Sequence, residues 1–149
     1  MDGDEITWDD ESKFDDARTH ANKVWTAGTL KKIKIRADGA TSYADVEWRD
    51  ANSVSGEWLD VYGKWNARHG TDYLLLNRAY LDDGKRLGAA EPRRRVAAHE
   101  LGHALGFCHK DYGTGMYPSL MWADYDHITG KRISSPTEND VDAYHALWG

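Results

Sequence analysis

The spacing of hydrophobic residues in the first half of the chain predicts one helix among several strands. Apolar side chains recur every three or four residues between the polar segment 9–12 and Gly28, as on the buried face of a helix. Short segments rich in β-favouring residues predict strands at 6–8, 31–36, 43–49, 57–62 and 72–81. The apolar run 73–76 is typical of a strand covered on both faces, whereas the polar segment 63–70 predicts irregular structure.

Two further helices are predicted in the second half of the chain. Pro92 is suited to the first turn of a helix that ends near Leu105. Ser135 is expected to cap the last helix, with Pro136 as its first residue and Glu138 as the reciprocal capping partner. The alternation of strands and helices predicts a single domain over residues 1–149, of the α/β (α+β) class, with one sheet.

Composition and charge argue against two classes of function. The 149 residues include 19 basic and 25 acidic side chains, and a net charge of −6 argues against a nucleic-acid-binding protein. The basic run 93–95 is therefore interpreted as the solvated start of a helix. No apolar segment is long enough to span a membrane. Cys108 is the only cysteine, so an internal disulfide is impossible, and we interpret it as a small buried residue rather than a redox or metal residue.

The segment 99–109 carries the most specific chemical pattern in the sequence. It reads His-Glu-Leu-Gly-His-Ala-Leu-Gly-Phe-Cys-His. Residues four positions apart share one face of a helix, so the imidazoles of His99 and His103 can bind one zinc ion. Gly106 can adopt the left-handed conformation that ends the helix, which allows His109 to return as a third ligand. Three protein ligands leave one position open, as in catalytic rather than structural zinc sites.

The carboxylate of Glu100 can approach the ion without binding it, as a base acting on a zinc-bound water must do. A lone His-Glu-x-x-His arises by chance on amphipathic helices, but the glycine and third histidine at their spacing favour a metal site.

The other histidines have simpler interpretations. His20 is expected to be an exposed helix residue and His145 a packed or rim residue. His69 is expected in a loop, with a second metal left open as an alternative, and His127 has no assigned role.

Two elements of the sequence together resemble the metzincin clan of zinc metalloendopeptidases. The clan combines His-Glu-x-x-His-x-x-Gly-x-x-His with a downstream turn that contains methionine beneath the metal. Here the first element is complete over 99–109, and Met121 matches the second. The nearest resemblance is to small bacterial matrixin-like and snapalysin-like peptidases. Snapalysins carry aspartate as the third ligand, so His109 favours the matrixin side, with Asp111 as a weaker substitute.

This resemblance implies a single twisted mixed sheet with an N-terminal helix, an active-site helix, a methionine-containing turn and a C-terminal helix. It also implies that substrate lies extended along an edge strand. Astacins and serralysins have a tyrosine two residues after the turn methionine that can reach the zinc. Here that position is Ala123, with Tyr125 displaced. Matrixins often bind structural calcium, and acidic loop residues leave such a site open here: Asp82, Asp83, Asp124 and Asp126.

These observations predict a zinc-dependent endopeptidase that hydrolyses peptide bonds of protein substrates. His99, His103 and His109 are the expected zinc ligands. Glu100 is the expected base on the zinc-bound water and the donor to the leaving amine. Met121 is expected to pack beneath the ligands without a chemical role. The expected partner is a protein or peptide substrate, with no nucleic acid and no membrane, and the chain is expected to be a monomer.

Two alternative functions remain open at this point. The motif does not encode the substrate, so a zinc hydrolase of small amides or esters would carry the same residues. A catalytically silent, zinc-stabilised binding domain would not need Glu100, which speaks against it. The acidic, polar N-terminus is unlike a signal peptide. We expect a secreted mature domain that has lost its leader, with an intracellular location as the alternative.

Overall fold

One mixed sheet and several helices make up the part of the chain that the computed structural model describes, residues 3–39, 43–111, 118–123 and 132–149. The strands are β1 (Glu5–Asp10), β2 (Lys34–Ala37), β3 (Val46–Ala51), β4 (Gly63–Asn66) and β5 (Asp72–Asn77). The helices are α1 (Asp15–Val24), α2 (Arg78–Leu81), α3 (Ala90–Ala104) and α4 (Glu138–Trp148), and a short 3-10 helix spans Gly56–Trp58.

The order of the strands in the sheet is β2-β1-β3-β5-β4. Strands β1, β2, β3 and β5 run parallel, and the short β4 pairs antiparallel with β5 at one edge. Parallel neighbours need long crossover connections, and α1 lies in the crossover from β1 to β2. The predicted α/β class, with a mixed sheet and helices near both ends of the chain, is confirmed.

The sheet has a buried face and a charged face, because successive side chains of a strand point to opposite sides. On β3, Val46 and Trp48 are buried in the core. Glu47 and Arg49 alternate with them and form an ion pair at 2.6 Å on the other face. The helices therefore need to cover only one side of this sheet.

The apolar run 73–76 follows the same alternation, so the prediction that both faces of this strand are covered is wrong. Leu74 and Leu76 are fully buried. Tyr73 is half-buried on the charged face, where the guanidinium groups of Arg49 and Arg68 lie 4.1 and 4.3 Å from its ring centroid. The two stacked arginine side chains cover the ring of Tyr73 on this face, where no described helix packs against it.

Helix α3 lies at the centre of the fold and packs against α1, β4 and β5. Trp25, which follows α1, fills the space between α1 and α3 and is fully buried. Its indole N–H donates to the carbonyl of Ala98 at 2.7 Å. Its ring stacks on Phe107, with centroids 5.1 Å apart and an interplanar angle of 11°. This packing fixes the position of α3 relative to the N-terminal helix.

The structure differs from the prediction around β4. The segment 57–62 is predicted as a strand but contains the end of the 3-10 helix and turns, and the strand lies within the segment predicted to be irregular. Gly63 explains the difference, because a Cβ at this position would meet Val96 and lie 2.8 Å from Glu100 Oε1. The absence of a side chain at Gly63 thus allows β4 to approach α3 closely. In the sequence, a glycine in such a strand cannot be distinguished from a glycine in a turn.

The predicted strand 72–81 ends early, at Asn77. The side-chain oxygen of Asn77 accepts a hydrogen bond from the N–H of Ala79 at 3.2 Å, which caps the first turn of α2. The apolar residues beyond Asn77 therefore belong to a short helix, and Leu81 is its buried residue.

The last helix begins later than predicted. Thr137 is its N-cap, so Ser135 and Pro136 precede the helix. The backbone N–H of Thr137 donates to the carboxylate of Asp140 at 2.9 Å. Asp140 therefore takes the reciprocal capping position that the sequence pattern assigns to Glu138.

The basic run at the start of α3 is not uniformly solvated, contrary to the prediction. Arg95 is 2% exposed, and its Nε donates to the carbonyl of Ile133 at 2.7 Å. Its terminal nitrogen also donates to Glu91 at 3.0 Å. Arg93 is largely covered, and within the run only Arg94 keeps nearly half of its side chain exposed. Burial of Arg95 is tolerated because its donors find acceptors.

Within the described ranges, no helix is long and apolar enough to cross a lipid bilayer. The Gly-, Tyr- and Asp-rich loop is described only at 110–111, 118–123 and 132–134. Four residues discussed above lie outside the described residues: Asp124, Tyr125, Asp126 and His127.

Candidate metal centre

Three histidines converge at the C-terminal end of α3. His99 and His103 project from the helix, and His109 comes from the segment that follows it. Their Nε2 atoms form a triangle with three sides of 3.1 Å. In the described part of the chain, this is the cluster of potential ligands that could hold a metal ion. The structure thus brings together the three histidines that the sequence pattern selects.

Hydrogen bonds on the opposite side of two rings leave Nε2 available to a metal. The Nδ1 atom of His99 lies 2.7 Å from the carbonyl of Leu120, and that of His103 lies 2.7 Å from the carbonyl of Phe107. A carbonyl only accepts, so each Nδ1 carries the proton and each Nε2 of a neutral ring carries a lone pair. Metal-binding histidines are commonly oriented in this way.

The triangle of nitrogens fits a tetrahedral zinc ion. Zn–N bonds of about 2.0–2.1 Å at tetrahedral angles separate the nitrogens by roughly 3.3 Å. The separation here is 3.1 Å. Hydrogen bonds alone do not explain the arrangement, because His99 and His103 have no proton to donate from Nε2, so the contact between these two nitrogens lacks a donor. A cation that accepts three lone pairs does explain it.

Burial keeps these imidazoles neutral. The pKa of His99 is lowered to about 4, chiefly by burial and additionally by the neighbouring histidines, although the hydrogen bond to Leu120 opposes the shift. Burial also lowers the pKa of His103 and of His109. A metal competes with protons for the same lone pairs, so a low proton affinity favours metal binding at neutral pH.

Glu100 lies beside the triad and connects α3 to the edge strand. It is 7% exposed, and its Oε2 accepts the backbone N–H of Trp65 in β4 at 2.7 Å. Burial raises the pKa of this carboxyl to about 8, although the Trp65 N–H opposes that shift. A cation at the triad would favour the ionised carboxylate. Glu100 lines the same cavity as His99 and His109.

The chain reverses at Gly106, as expected. This residue has a φ of 95°, in the left-handed region that favours glycine. The N–H of Gly106 donates to the carbonyl of His103 at 2.9 Å, and the N–H of Phe107 donates to the carbonyl of Gly102 at 3.0 Å. These bonds close the end of α3 and direct the chain back toward His109.

Cys108 is exposed, which corrects the prediction of a buried side chain. Phe107 takes the core position in this segment, where it is 7% exposed and stacks on Trp25. Because neighbouring residues of an extended segment point to opposite sides, Cys108 faces outward. Its neighbours in a shallow cavity there include Trp65 and His103.

Met121 lies in the turn 119–122 and is fully buried against α3. A Cβ on Gly102 would meet the Met121 sulfur and lie 2.9 Å from Trp25 Cζ2. Gly102 lies between His99 and His103 in the sequence of the helix. The methionine therefore packs on the helix next to His99 and His103, as expected for the turn of this clan.

We expect Gly102→Ala to destabilise the protein. The added methyl group would force the turn and Trp25 away from α3, and overpacking of this kind costs about 1–3 kcal/mol. The midpoint of urea unfolding and Tm should both fall. Gly39→Ala is a suitable control, because a Cβ at Gly39 meets no atom of the described residues within 4 Å. Equal stability of the two variants would contradict the close packing of Met121 on Gly102.

A cavity of about 220 Å³ opens beside the triad. The edge strand, α3 and the turn all contribute to its walls, which include Tyr62, Gly63, Val96, Glu100, His109 and Trp122. Apolar walls with a few converging polar groups are typical of sites that bind a ligand or a substrate side chain. The cavity therefore joins the candidate metal site to a surface that could bind substrate.

The remaining described histidines belong to other surroundings. His20 is half-buried, with Nε2 2.6 Å from the carbonyl of Ser134, so its predicted exposure is only partial. His69 is exposed in a loop. His145 is exposed on α4 and lies 3.1 Å from the hydroxyl of Thr29.

The acidic residues suggested for calcium have cationic partners where the structure describes them. Asp82 forms ion pairs with Lys13 at 2.9 Å and with Arg78 at 3.4 Å. Asp83 lies 2.7 Å from Arg93. These cationic side chains already balance the charges of the two carboxylates, so no metal ion is needed to explain them.

Three residues that help to position the site are not identified by the sequence pattern. Trp65 acts through its backbone N–H, for which a sequence carries no signal. Lys110 and Asp140 bind the turn and the start of α4. The capping pattern of Thr137 and Asp140 is visible in the sequence, but the preceding Ser-Pro pair offers a competing start for the helix.

Comparisons with known proteins agree with this geometry. The profile of the matrixin family matches residues 4–149. Interstitial collagenase of Oryctolagus cuniculus is 39% identical over 56 residues, which cover 37% of this chain and 10% of the collagenase. Interstitial collagenase of Sus scrofa is 46% identical over 54 residues, which cover 32% of this chain and 12% of that protein. The match thus spans about a tenth of these relatives, whereas the family profile covers nearly all of this chain. The chain belongs to the matrixin family.

Proposed function

We propose that this chain is a zinc-dependent endopeptidase that hydrolyses peptide bonds within protein substrates. One observation carries the proposal, namely three converging imidazole lone pairs and the buried carboxylate of Glu100, which lines the same cavity as two of these histidines. A structural zinc site would have four protein ligands and no use for a free carboxylate. Membership of the matrixins, a family of zinc metalloendopeptidases, supports the same conclusion.

The residues of the site have separate roles in hydrolysis. Zinc held by His99, His103 and His109 would supply a Lewis acid that lowers the pKa of water and polarises the scissile carbonyl. Glu100 accepts the proton of the attacking water and then delivers it to the leaving amine. The Trp65 N–H holds Oε2 of Glu100 at 2.7 Å, which leaves Oε1 for the proton transfer.

Strand β4 is suited to bind the substrate as an additional strand. It forms one edge of the sheet and borders the cavity. The Trp65 N–H points away from β5 toward Glu100, so Gly63 and Trp65 turn their backbone groups to the cleft. Sheet edges with such outward-facing groups bind extended peptides. A peptide on β4 would pass directly by Glu100.

The proposal is tested by metal analysis together with a cleavage assay. The purified protein should contain one zinc per chain and should cleave an unfolded protein. A chelator should stop the cleavage, and added zinc should restore it. Small amides and esters, tested in parallel, should be poor substrates. Bound zinc without any hydrolysis would indicate a binding domain, and hydrolysis of small esters alone would indicate the other alternative.

We also propose that the protein acts outside the cell as a monomer. The name of the relatives, interstitial collagenase, refers to the space between cells. Location is tested by assaying the culture medium and the cell lysate for the protein. The monomeric state is tested by light scattering of the zinc-loaded chain.

A further inference from the structure

We infer that Asp140 and Lys110 act together as positioning residues, which set the orientation of two of the three histidines. The inference rests on the proposed function because it requires zinc at the triad. Neither residue reaches the histidine rings directly. Both act through the turn 119–122 and the start of α4.

Asp140 reaches His99 through a single intervening residue. Its side chain is 1% exposed, and its Oδ2 accepts the N–H of Leu120 at 2.7 Å. The carbonyl of the same Leu120 accepts the Nδ1–H of His99 at 2.7 Å. The other carboxylate oxygen accepts the hydroxyl of Ser119 at 2.5 Å. A shift of Asp140 would therefore move the carbonyl that fixes the ring of His99.

Lys110 connects the same carboxylate to the segment that carries His109. It directly follows His109, and its N–H donates to the carbonyl of Met121 at 2.8 Å. Its ammonium group donates to the carbonyl of Asn139 at 2.7 Å and lies 3.4 Å from Asp140 Oδ1. The chain is thus anchored immediately after His109 by both the backbone and the side chain of Lys110.

The third histidine is held independently of this network. His103 bonds the carbonyl of Phe107, within the closing turn of α3 itself. The ammonium of Lys110 also offsets the cost of burying the carboxylate of Asp140, because an unpaired buried charge is strongly unfavourable. Loss of the Lys110–Asp140 pair should therefore misplace His99 and His109 while His103 stays in position.

The test uses Lys110→Met, which keeps the aliphatic stem and removes the charge. Zinc affinity, measured by competition with a chromophoric chelator, should fall about 10- to 100-fold, as it does when groups that orient metal ligands are lost. The visible absorption of the cobalt-substituted protein should also change, because it reports the arrangement of the ligands. Lys110→Arg restores a cation and should recover most of the affinity.

Lys13→Met is the matched control. It removes another lysine that pairs with a carboxylate, Asp82 at 2.9 Å, and this lysine lies in the connection from β1 to α1 rather than next to a histidine of the triad. Its zinc affinity and cobalt spectrum should equal those of the parent. The midpoint of unfolding of the metal-free protein should fall more for Lys110→Met, which leaves the buried carboxylate of Asp140 unpaired, than for Lys13→Met. Zinc affinity and the cobalt spectrum are therefore compared under conditions in which both variants are folded, which separates an effect on the ligands from a general loss of stability.

Asp140→Asn provides a second route to the same conclusion. It should lower zinc affinity at least as much as Lys110→Met, and the double variant should add little, because residues of one network are not additive. If zinc affinity of Lys110→Met stays within about twofold of a zinc-binding parent, well short of the expected loss, the inference is overturned while the proposed function stands. A parent that binds no zinc would overturn both.

Discussion

Replacing Glu100 with glutamine should reduce peptide hydrolysis by about 10²- to 10⁴-fold, the usual contribution of a positioned acid–base group. Glutamine has nearly the same shape, and its amide oxygen can still accept the Trp65 N–H that Glu100 accepts at 2.7 Å. It cannot take the proton of the attacking water. We expect the loss in kcat/KM on an unfolded protein or a fluorogenic peptide, with the zinc content of the protein unchanged.

Glu138→Gln is the control for this variant. Glu138 is exposed in the first turn of α4, and its replacement removes the same charge from a residue that does not line the cavity. Its kcat/KM should match that of the parent. Should Glu100→Gln retain full turnover with bound zinc, another group must take the proton, and the role proposed for Glu100 would be wrong.

Replacing His109 with alanine should lower zinc affinity by more than the roughly 100-fold that loss of a group bonded to a ligand can cost. The variant loses one of the three nitrogens that stand 3.1 Å from one another, so only His99 and His103 remain to bind the ion. Zinc bound only to the folded state raises stability by mass action. The rise in Tm that zinc gives the parent should therefore disappear at the same zinc concentration.

His145→Ala is the matched control for the loss of an imidazole. His145 is exposed and lies 3.1 Å from the hydroxyl of Thr29. Its removal should leave both zinc affinity and the zinc-dependent rise in Tm unchanged. If His109→Ala bound zinc as tightly as this control, His109 would not be a ligand.

The part of the site on α3 could be predicted from the sequence because its geometry is local. The spacing of His99 and His103 places two rings on one face of a helix, and Gly106 fixes the reversal of the chain at a φ that favours glycine. The exposure of the neighbouring Cys108 cannot be predicted in the same way. Whether its side chain is buried depends on which residue of the segment after α3 enters the core. Phe107 enters it, so Cys108 is exposed.

The supports of the site could not be predicted because they join residues far apart in the chain. Arg95 is buried because the carbonyl of Ile133 lies 2.7 Å from its Nε. The carboxylate of Asp140 accepts the N–H of Leu120, although the two residues are separated in the chain by the loop that follows the turn. Gly63 permits a strand because α3 lies against it, and a glycine in the sequence alone indicates only a break in regular structure.

The two outer strands of the sheet differ in how they can meet a neighbouring molecule. β2 has four residues and exposes Lys34 and Arg36, and Arg36 forms an ion pair with Glu5 at 2.7 Å. Charges on a short outer strand oppose the pairing of sheets from separate molecules and so limit aggregation. β4 differs, because the carboxylate of Glu100 occupies only the N–H of Trp65 and the outward backbone groups of Gly63 still face the cleft. In concentrated solution, pairing of another copy with β4 would therefore compete with the extended substrate for the same backbone groups.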